Sequence, residues 1–472
     1  MFTLTGTYIP GTMETPTAIP QALNALRSYY EKGATRPLKF RLQQLQKLKD
    51  ALRRYEEEIT EALRIDLGKP AFESYASEIG FIYDEIRHAM RHLREWVEPE
   101  HKSVSWVHFP STGRVISEPL GVVLIIGPWN YPLQLMLSPL VGAIAAGNCV
   151  ALKPSDQTPH LAKLIYKMME EIYEPAYIKT FLGPGAETVP ALMNSFRFDH
   201  IFFTGSLPVG KKLAVEAVKT LTPVTLELGG KSPCIVDRGA NLEVAAKRIA
   251  WAKFFNAGQT CVCPDYLLIH HSQKERFIAL FKKYTLEFFG EEPKKSPDLG
   301  RIVNTKRMEI LAGYLKQGRV LMGGTFDMEE RYVAPTLLDQ VSPDAPVMKE
   351  EIFGPILPLI SFDTLEEVKE IVSRNPYPLS LYLFTADKKT EDYILGGISF
   401  GGGSINNTMI HLTSPEMPFG GVGFSGMGHY HGKYSFDTFS HRKSVVKTGT
   451  WLDLPVRYAP YRNKLALLKK LF

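Results

Sequence analysis

The sequence predicts an α/β protein built on an open, doubly wound, mostly parallel sheet. From residue 120 onward, short continuous apolar runs that end in glycine or a polar loop alternate with stretches of helical periodicity. That is the pattern of strands covered on both faces by helices. The chain has 472 residues, beyond the size at which one core stops growing, so two or three domains are expected. Hydrophobic residues make up 44% and charged residues 22%, a globular balance that excludes global disorder.

Residues 17–100 place apolar side chains three and four apart in TAIPQALNALRSYYEKG, in PLKFRLQQLQKLKDALRRYEEEITEALRIDLGK and in FIYDEIRHAMRHLREWV, a helical period. Their charged faces are mixed in sign and read as solvated surface. VHFPSTGRVISEP, 107–119, alternates like a strand around a turn. GVVLIIG is then a buried strand, PWNYP a loop, and the stretch to Ala146 a helix. NCVALKPS, YIKTFLG, DHIFFTG and TPVTLELGG supply further strands, with helices at LAKLIYKMMEEIY, near 186–195 and near 206–220. Right-handed crossovers put the loops after these strands on one edge, where a ligand sits.

A second α/β unit covers 231–406. PCIVD is a strand, LEVAAKRIAWAKFFNAG a helix ended by Gly258, DYLLIHHS a strand and KERFIALFKKYTLEFF a helix. VLMGG, PTLLDQV, LPLISF and LSLYLFT are strands, and LEEVKEIVSRN is a helix. Beyond GSINN the chain is rich in glycine and aromatics, FDTFSHRKSVVKT is strand-like, and YRNKLALLKKLF is a basic amphipathic tail.

The formal net charge of +5 is small for this length, and no basic block or zinc-finger spacing supports nucleic-acid binding. It still favours an anionic cofactor. Four cysteines, 149, 234, 261 and 263, are too few for a disulfide scaffold. The Cys261–Cys263 spacing is not a zinc knuckle, so no metal is expected and a reducing, cytoplasmic setting fits. The N-terminal stretch lacks the form of a secretion signal. The most apolar stretch, LQLMLSPLVGAIAAGNCVAL, is interrupted by Pro139 and Asn148 and reads as buried core.

Several residues carry chemistry. Cys261 follows a Gly-Gln-Thr turn after a helix, so its thiol reads either as a nucleophile beside its own backbone N–H or as a small core residue. Cys149 and Cys234 lie inside strand-like runs and read as core. Glu227, at the end of an apolar strand, is a general base or a structural carboxylate. Asn130, after another strand, is an oxyanion donor or a turn residue. In FTGSLPVG, Gly205 and Ser206 open a helix whose free N–H groups suit a diphosphate. Lys153 and Asp156, in KPSDQTP, are placed to reach ribose hydroxyls or a phosphate.

Taken together, GPWNYP, ALKPSDQTP, FTGSLPVG, LELGGKSP, FFNAGQTC, EEIFGPILP and PFGGVGFSGMGHYHG resemble the NAD(P)-dependent aldehyde dehydrogenase superfamily over roughly 18–445. The GPWNYPLQL and SGMGHYHG forms are similar to its class 3 and fatty aldehyde branch. The resemblance implies an aldehyde dehydrogenase-like α/β fold with a Rossmann-type cofactor domain (1–100 and 120–228) and an α/β catalytic domain (229–406). It also implies a small β oligomerisation arm (101–119 and 407–446), followed by a C-terminal tail (447–472). It makes Cys261 the nucleophile, Glu227 the general base and Asn130 the oxyanion amide. Trp129, Lys153, Asp156, Gly205, Ser206, Glu351 and Phe353 become cofactor contacts. Asp156 stands where many relatives have glutamate, which leaves NAD and NADP both open.

The implied reaction is oxidation of a small apolar aldehyde to its acid through a thiohemiacetal and a thioester, by a homodimer. Medium- or long-chain aliphatic, aromatic and apocarotenoid aldehydes all remain candidates. An acyl-reducing homologue and a non-catalytic structural homologue are the alternatives. The tail could lay Leu465, Leu468 and Phe472 on a bilayer, a peripheral contact weighed against a short helix packed on the body.

Overall fold

The computed structural model describes residues 18–462 and 464–471. The N-terminal region is helical: α1 (Ala18–Glu31), α2 (Leu38–Arg54), α3 (Glu56–Leu67), a short α4 (Ala71–Ser74) and α5 (Gly80–Val97). A π-turn over Tyr75–Ile79 joins the last two. The long periodic stretch from 37 to 69 is two helices, because Tyr55 leaves helical backbone geometry between α2 and α3. The longer helices bury the leucine and isoleucine stripe that their spacing predicts, as with Ile82, Ile86 and Leu93 of α5.

The next strands are β1 (Glu100–Lys102) and β2 (Ser111–Pro119). The cofactor sheet follows, with β3 (Val122–Ile126), β4 (Cys149–Lys153), β5 (Ile178–Thr180), β6 (His200–Thr204) and β7 (Val224–Glu227). Helices α6 (Gln134–Ala146), α7 (Pro159–Ile172), α8 (Gly185–Ser195) and α9 (Leu207–Val218) connect them. These five strands are parallel, and β3 lies between β4 and β6. The strand order therefore reverses at β3, and a crevice opens beyond the carboxyl ends of β3 and β6. Every residue of α6 is buried, which explains why the most apolar stretch of the sequence lies there.

The second sheet uses β8 (Pro233–Val236), β9 (Tyr266–His270) and β10 (Arg319–Met322). After a two-stranded hairpin, β11 (Phe326–Asp327) and β12 (Tyr332–Val333), it continues with β13 (Thr336–Asp339), β14 (Ile356–Phe362), β15 (Ser380–Phe384) and β16 (Gly402–Ile405). Its seven strands run in the order β10-β13-β14-β9-β8-β15-β16. The helix expected to end at Gly258 ends earlier: α10 spans Leu242–Phe254. Asn256 and Ala257 both adopt φ 52°, ψ 33°, a left-handed backbone that cannot continue the helix.

Two strands complete the fold, β17 (Gly426–Met427) and β18 (Ser440–Thr448). The segment FDTFS is not all strand: a helix covers Gly432–Thr438 and buries Ser435 and Phe436. β18 pairs along its length with β2, which also pairs with β1, giving a three-stranded antiparallel arm. Of the stretch after 407 assigned above to the arm, β17 instead adds antiparallel to β7, with Gly426 opposite Glu227. The glycine-rich segment thus closes the edge of the cofactor sheet.

Candidate active site

Cys261 is only half-buried and lies on the wall of a cavity of about 260 Å³. Phe72, Phe81, Leu135, Trp251, Phe255 and Ile410 form much of its apolar surface. The other three cysteines are buried. Cys149 is 0% exposed within β4, and burial pushes its thiol up to about 12.

The left-handed turn that aims Cys261 is tied down on several sides. The Asn256 N–H donates to Glu73 Oε2 at 2.9 Å, and the Asn256 amide donates to the Asn130 carbonyl at 2.9 Å. Gln259 Nε2 donates to the Arg301 carbonyl at 2.9 Å, and its Oε1 accepts from the Val303 N–H at 2.9 Å. Tyr131 and Thr260 share a hydroxyl hydrogen bond of 2.6 Å. Asn130 Nδ2 donates to the Gln259 carbonyl at 3.1 Å. The two loops expected to hold the nucleophile and the oxyanion amide are therefore joined directly.

Sequence reasoning missed the support beneath them. Lys69 and Glu78 form an ion pair, both side chains fully buried. Lys69 Nζ also donates to the Asn130 carbonyl at 3.1 Å and lies 4.3 Å from the Tyr131 ring centroid. Glu78 Oε2 accepts from the N–H groups of Leu133 and Gln134 at 2.8 and 3.3 Å, a carboxylate at a helix N-terminus. A lysine and glutamates buried in a helical region were the available signal, hidden among similar surface charges.

Two carboxyls face the thiol. Glu227 is 2% exposed at the end of β7, and neither of its oxygens has a hydrogen-bond partner. Burial holds its pKa well above the ordinary value. Glu351 is pushed up to about 8, first by burial and then by Asp265. Its carboxylate occupies the space a side chain at Gly229 would need, 2.2 Å from the position of a Cβ there. The Cys261 thiol is raised by burial, then by Glu351 and Glu227, and lowered by the N–H groups of Cys261 and Val262.

The cofactor crevice has the fittings its residues imply. Lys153, at the end of β4, is 2% exposed and forms no ion pair among the described residues, donating instead to the Pro154 carbonyl at 2.6 Å. Burial lowers its pKa, so an anion or hydroxyl partner would relieve it. Gly205 and exposed Ser206 follow β6, and the Ser206 side chain makes no cap bond to α9. The start of α9, apart from Pro208, which has no N–H, has the orphan donors of a helix N-terminus, which suit a phosphate. Asp156 is exposed and accepts from the Gly185 N–H at 3.2 Å. Trp129 and Phe353 meet edge to face at 5.2 Å, while one oxygen of Glu351 has no partner. These residues fit a dinucleotide.

An apolar cavity walled by a cysteine, beside a dinucleotide crevice at the sheet's switch point, defines an oxidoreductase site. The chain matches the model of the aldehyde dehydrogenase family over residues 9–445. It is 46% identical to 4,4'-diaponeurosporen-aldehyde dehydrogenase of Staphylococcus aureus, over 96% of this chain and 99% of that protein. It is 43% identical to the dimeric, NADP-preferring aldehyde dehydrogenase of Rattus norvegicus, over 91% and 94%. It superposes on Staphylococcus aureus AldH in its substrate-bound state with a TM-score of 0.94 and 45% identity, covering 96% of this chain and 99% of that one.

The chain belongs to the aldehyde dehydrogenase family. Within it, the protein is an NAD(P)-dependent aldehyde dehydrogenase of the class 3-like branch, oxidising an aldehyde through a cysteine.

Proposed function

We propose that Cys261 is the nucleophile, with Asn130 and the Cys261 N–H as oxyanion donors and Glu227 as the base, and that the substrate is an apolar small-molecule aldehyde, medium- or long-chain aliphatic, aromatic or apocarotenoid. The observation that carries this is the half-exposed thiol at the wall of an apolar cavity. When bound, the nicotinamide cofactor supplies the hydride acceptor. Ionised Glu227 takes the thiol proton as the sulfur adds to the carbonyl carbon. The resulting oxyanion accepts from Asn130 Nδ2 and the Cys261 N–H, each such donor contributing about 3 kcal/mol to the barrier reduction. After oxidation the acyl group is held as a thioester on Cys261. Once it has passed the thiol proton on to solvent, Glu227 removes a proton from the water that attacks the thioester carbon; the C–S bond breaks, Cys261 leaves as the thiolate, and the carboxylic acid is released.

Trp129, Lys153, Asp156, Gly205, Ser206, Glu351 and Phe353 are proposed to hold the cofactor. The domain division given above, a homodimer joined through the arm and a cytoplasmic setting are part of the same reading. The relative named as dimeric, the β1-β2-β18 arm and four free thiols support them.

Cys261→Ala should lose aldehyde oxidation while Cys149→Ser keeps it; the reverse result would overturn the assignment. Glu227→Gln should give one burst of reduced cofactor and then stall as a trapped acyl-enzyme. For the substrate, each added methylene should raise kcat/KM about 4-fold until the cavity is filled, from ~0.8 kcal/mol per buried CH₂. A panel from short aldehydes to polyene aldehydes with a flat response would refute the apolar reading.

A second reading concerns the tail. A helix over Lys464–Leu471 leaves Leu465 and Leu468 exposed at 62% and 44%, which supports peripheral contact with a bilayer; Phe472 lies outside the described residues. No helix among the described residues is long and apolar enough to cross a membrane. Vesicle co-sedimentation unchanged by deleting residues 461–472 would remove this reading.

A further inference from the structure

His88 and His92 stand one turn apart on α5, so their rings share a face, with centroids 4.6 Å apart. Glu416 reaches them from the loop that follows β16. Its Oε1 lies 3.6 Å from His88 Nδ1, and one ligand atom from each of the three residues lies within 4.8 Å of the others. The side chains are graded in exposure, 11% for His88, 31% for His92 and 73% for Glu416, so the cluster opens to solvent on one side.

We propose that His88, His92 and Glu416 form a binding site for a divalent transition-metal ion of the zinc type. Two imidazole nitrogens and one carboxylate oxygen are ligands that zinc takes, at about 2.0–2.2 Å, with a fourth position left for water. Tetrahedral bonds of that length set ligand atoms about 3.4 Å apart, which the His88–Glu416 pair nearly meets already. The remaining distances, up to 4.8 Å, would have to close by rotation of the two more exposed side chains, His92 and Glu416.

The backbone around the site permits the approach. Gly432 has φ 47°, and a Cβ there would lie 2.1 Å from the Pro415 carbonyl oxygen and 3.1 Å from His88 Nε2. Only a residue without a side chain lets the 415–416 turn settle onto α5. The alternative occupant of the cluster is a proton shared by His88 and Glu416. His92 has a carboxylate of its own, Glu95, whose Oε2 lies 3.8 Å from its Nδ1, and the proposed ion would draw His92 from that partner to the shared site.

The site has a mechanical consequence. Met409, Ile410, Leu412 and Thr413, just before Glu416, line the cavity beside Cys261, as does Phe81 from the first turn of α5. An ion held between α5 and Glu416 would pin this cavity wall to the helical body. It would act on access and KM for bulky aldehydes, away from the reacting atoms.

The test uses tag-free full-length protein carrying Cys261→Ser, so that the thiol in the cavity wall cannot bind the probe. Cobalt(II) titration should give one ion per chain, with the visible ligand-field band of a nitrogen and oxygen site and no thiolate charge-transfer band. Zinc should displace it. His92→Ala and Glu416→Gln, both at exposed side chains, should each weaken binding by more than about 100-fold, beyond what loss of an outer partner costs. In the protein with Cys261 intact, neither variant should change metal-free activity. Absence of stoichiometric binding, or equal binding by the parent and both variants, would overturn the proposal.

Discussion

Replacing Lys69 with methionine tests whether the buried pair beneath the active site holds it in place. The substitution keeps the length of the side chain and removes the charge that faces Glu78, in a setting where neither partner is exposed. Breaking one half of such a pair costs about 3–5 kcal/mol, because the remaining ion is left uncompensated. Glu78 keeps its two backbone donors, Leu133 and Gln134, which places the expected loss near 3 kcal/mol, the lower end of that range. Urea unfolding of wild type, Lys69→Met, Glu78→Gln and the double variant, read by tryptophan fluorescence, forms a cycle. The double variant should be more stable than the sum of the single losses predicts, by more than about 1 kcal/mol. Lys69→Met should also lower kcat, since the Asn130 carbonyl and the Tyr131 ring lose a contact. Additive losses within about 0.5 kcal/mol and an unaltered kcat would refute the reasoning.

Glu351 has a folded-state pKa raised to about 8, so the stability it favours is fully present below its unfolded value and is lost as pH rises through about 8. Between those limits wild type should lose stability relative to Glu351→Gln at about 1.4 kcal/mol per pH unit; parallel melting curves across pH 5–9 would contradict this. Gly229→Ala should displace the Glu351 carboxylate and raise the Kd for cofactor in fluorescence titration, with little change in the free thiol's labelling rate. Tyr131→Phe removes the hydroxyl bond to Thr260 and should cost about 1 kcal/mol in unfolding free energy, measured by chemical denaturation. If Glu227 is the base, as proposed, the acid limb of kcat/KM should lie above the ordinary carboxylate range, because burial raises its pKa; a limb near pH 4 would argue for another base.

The sequence made some parts of this plain and hid others for definite reasons. GVVLIIG and DHIFFTG read as buried strands because parallel strands covered on both faces are apolar throughout, and β3 and β6 are so. Cys261 stood out because a turn with glycine precedes it, and the structure joins that turn to Asn130. Lys69 and Glu78 were illegible: their burial depends on α4, α5 and α6 meeting, which no local period reports. His88 and His92 looked like part of a mixed, solvated face until Glu416 arrived from far along the chain. FDTFS read as part of a polar strand-like stretch, but packing of Ser435 and Phe436 into the body made most of it helix. Propensity in such a short segment yields to tertiary contact. The overrun of α10 into Asn256 and Ala257 has the opposite cause, a good helical pattern stopped by the geometry its thiol requires.

The pairing of Gly426 with Glu227 bears on when the enzyme becomes active during its synthesis. A ribosome will have made the thiol and the carboxylate long before the strand that flanks that carboxylate. Until the glycine-rich segment emerges and docks, the edge beside Glu227 stays open to water. If the proposed roles of Cys261 and Glu227 hold, a nascent chain should meet aldehydes before its reaction centre is finished, and turnover should begin only after the last sheet edge is sealed.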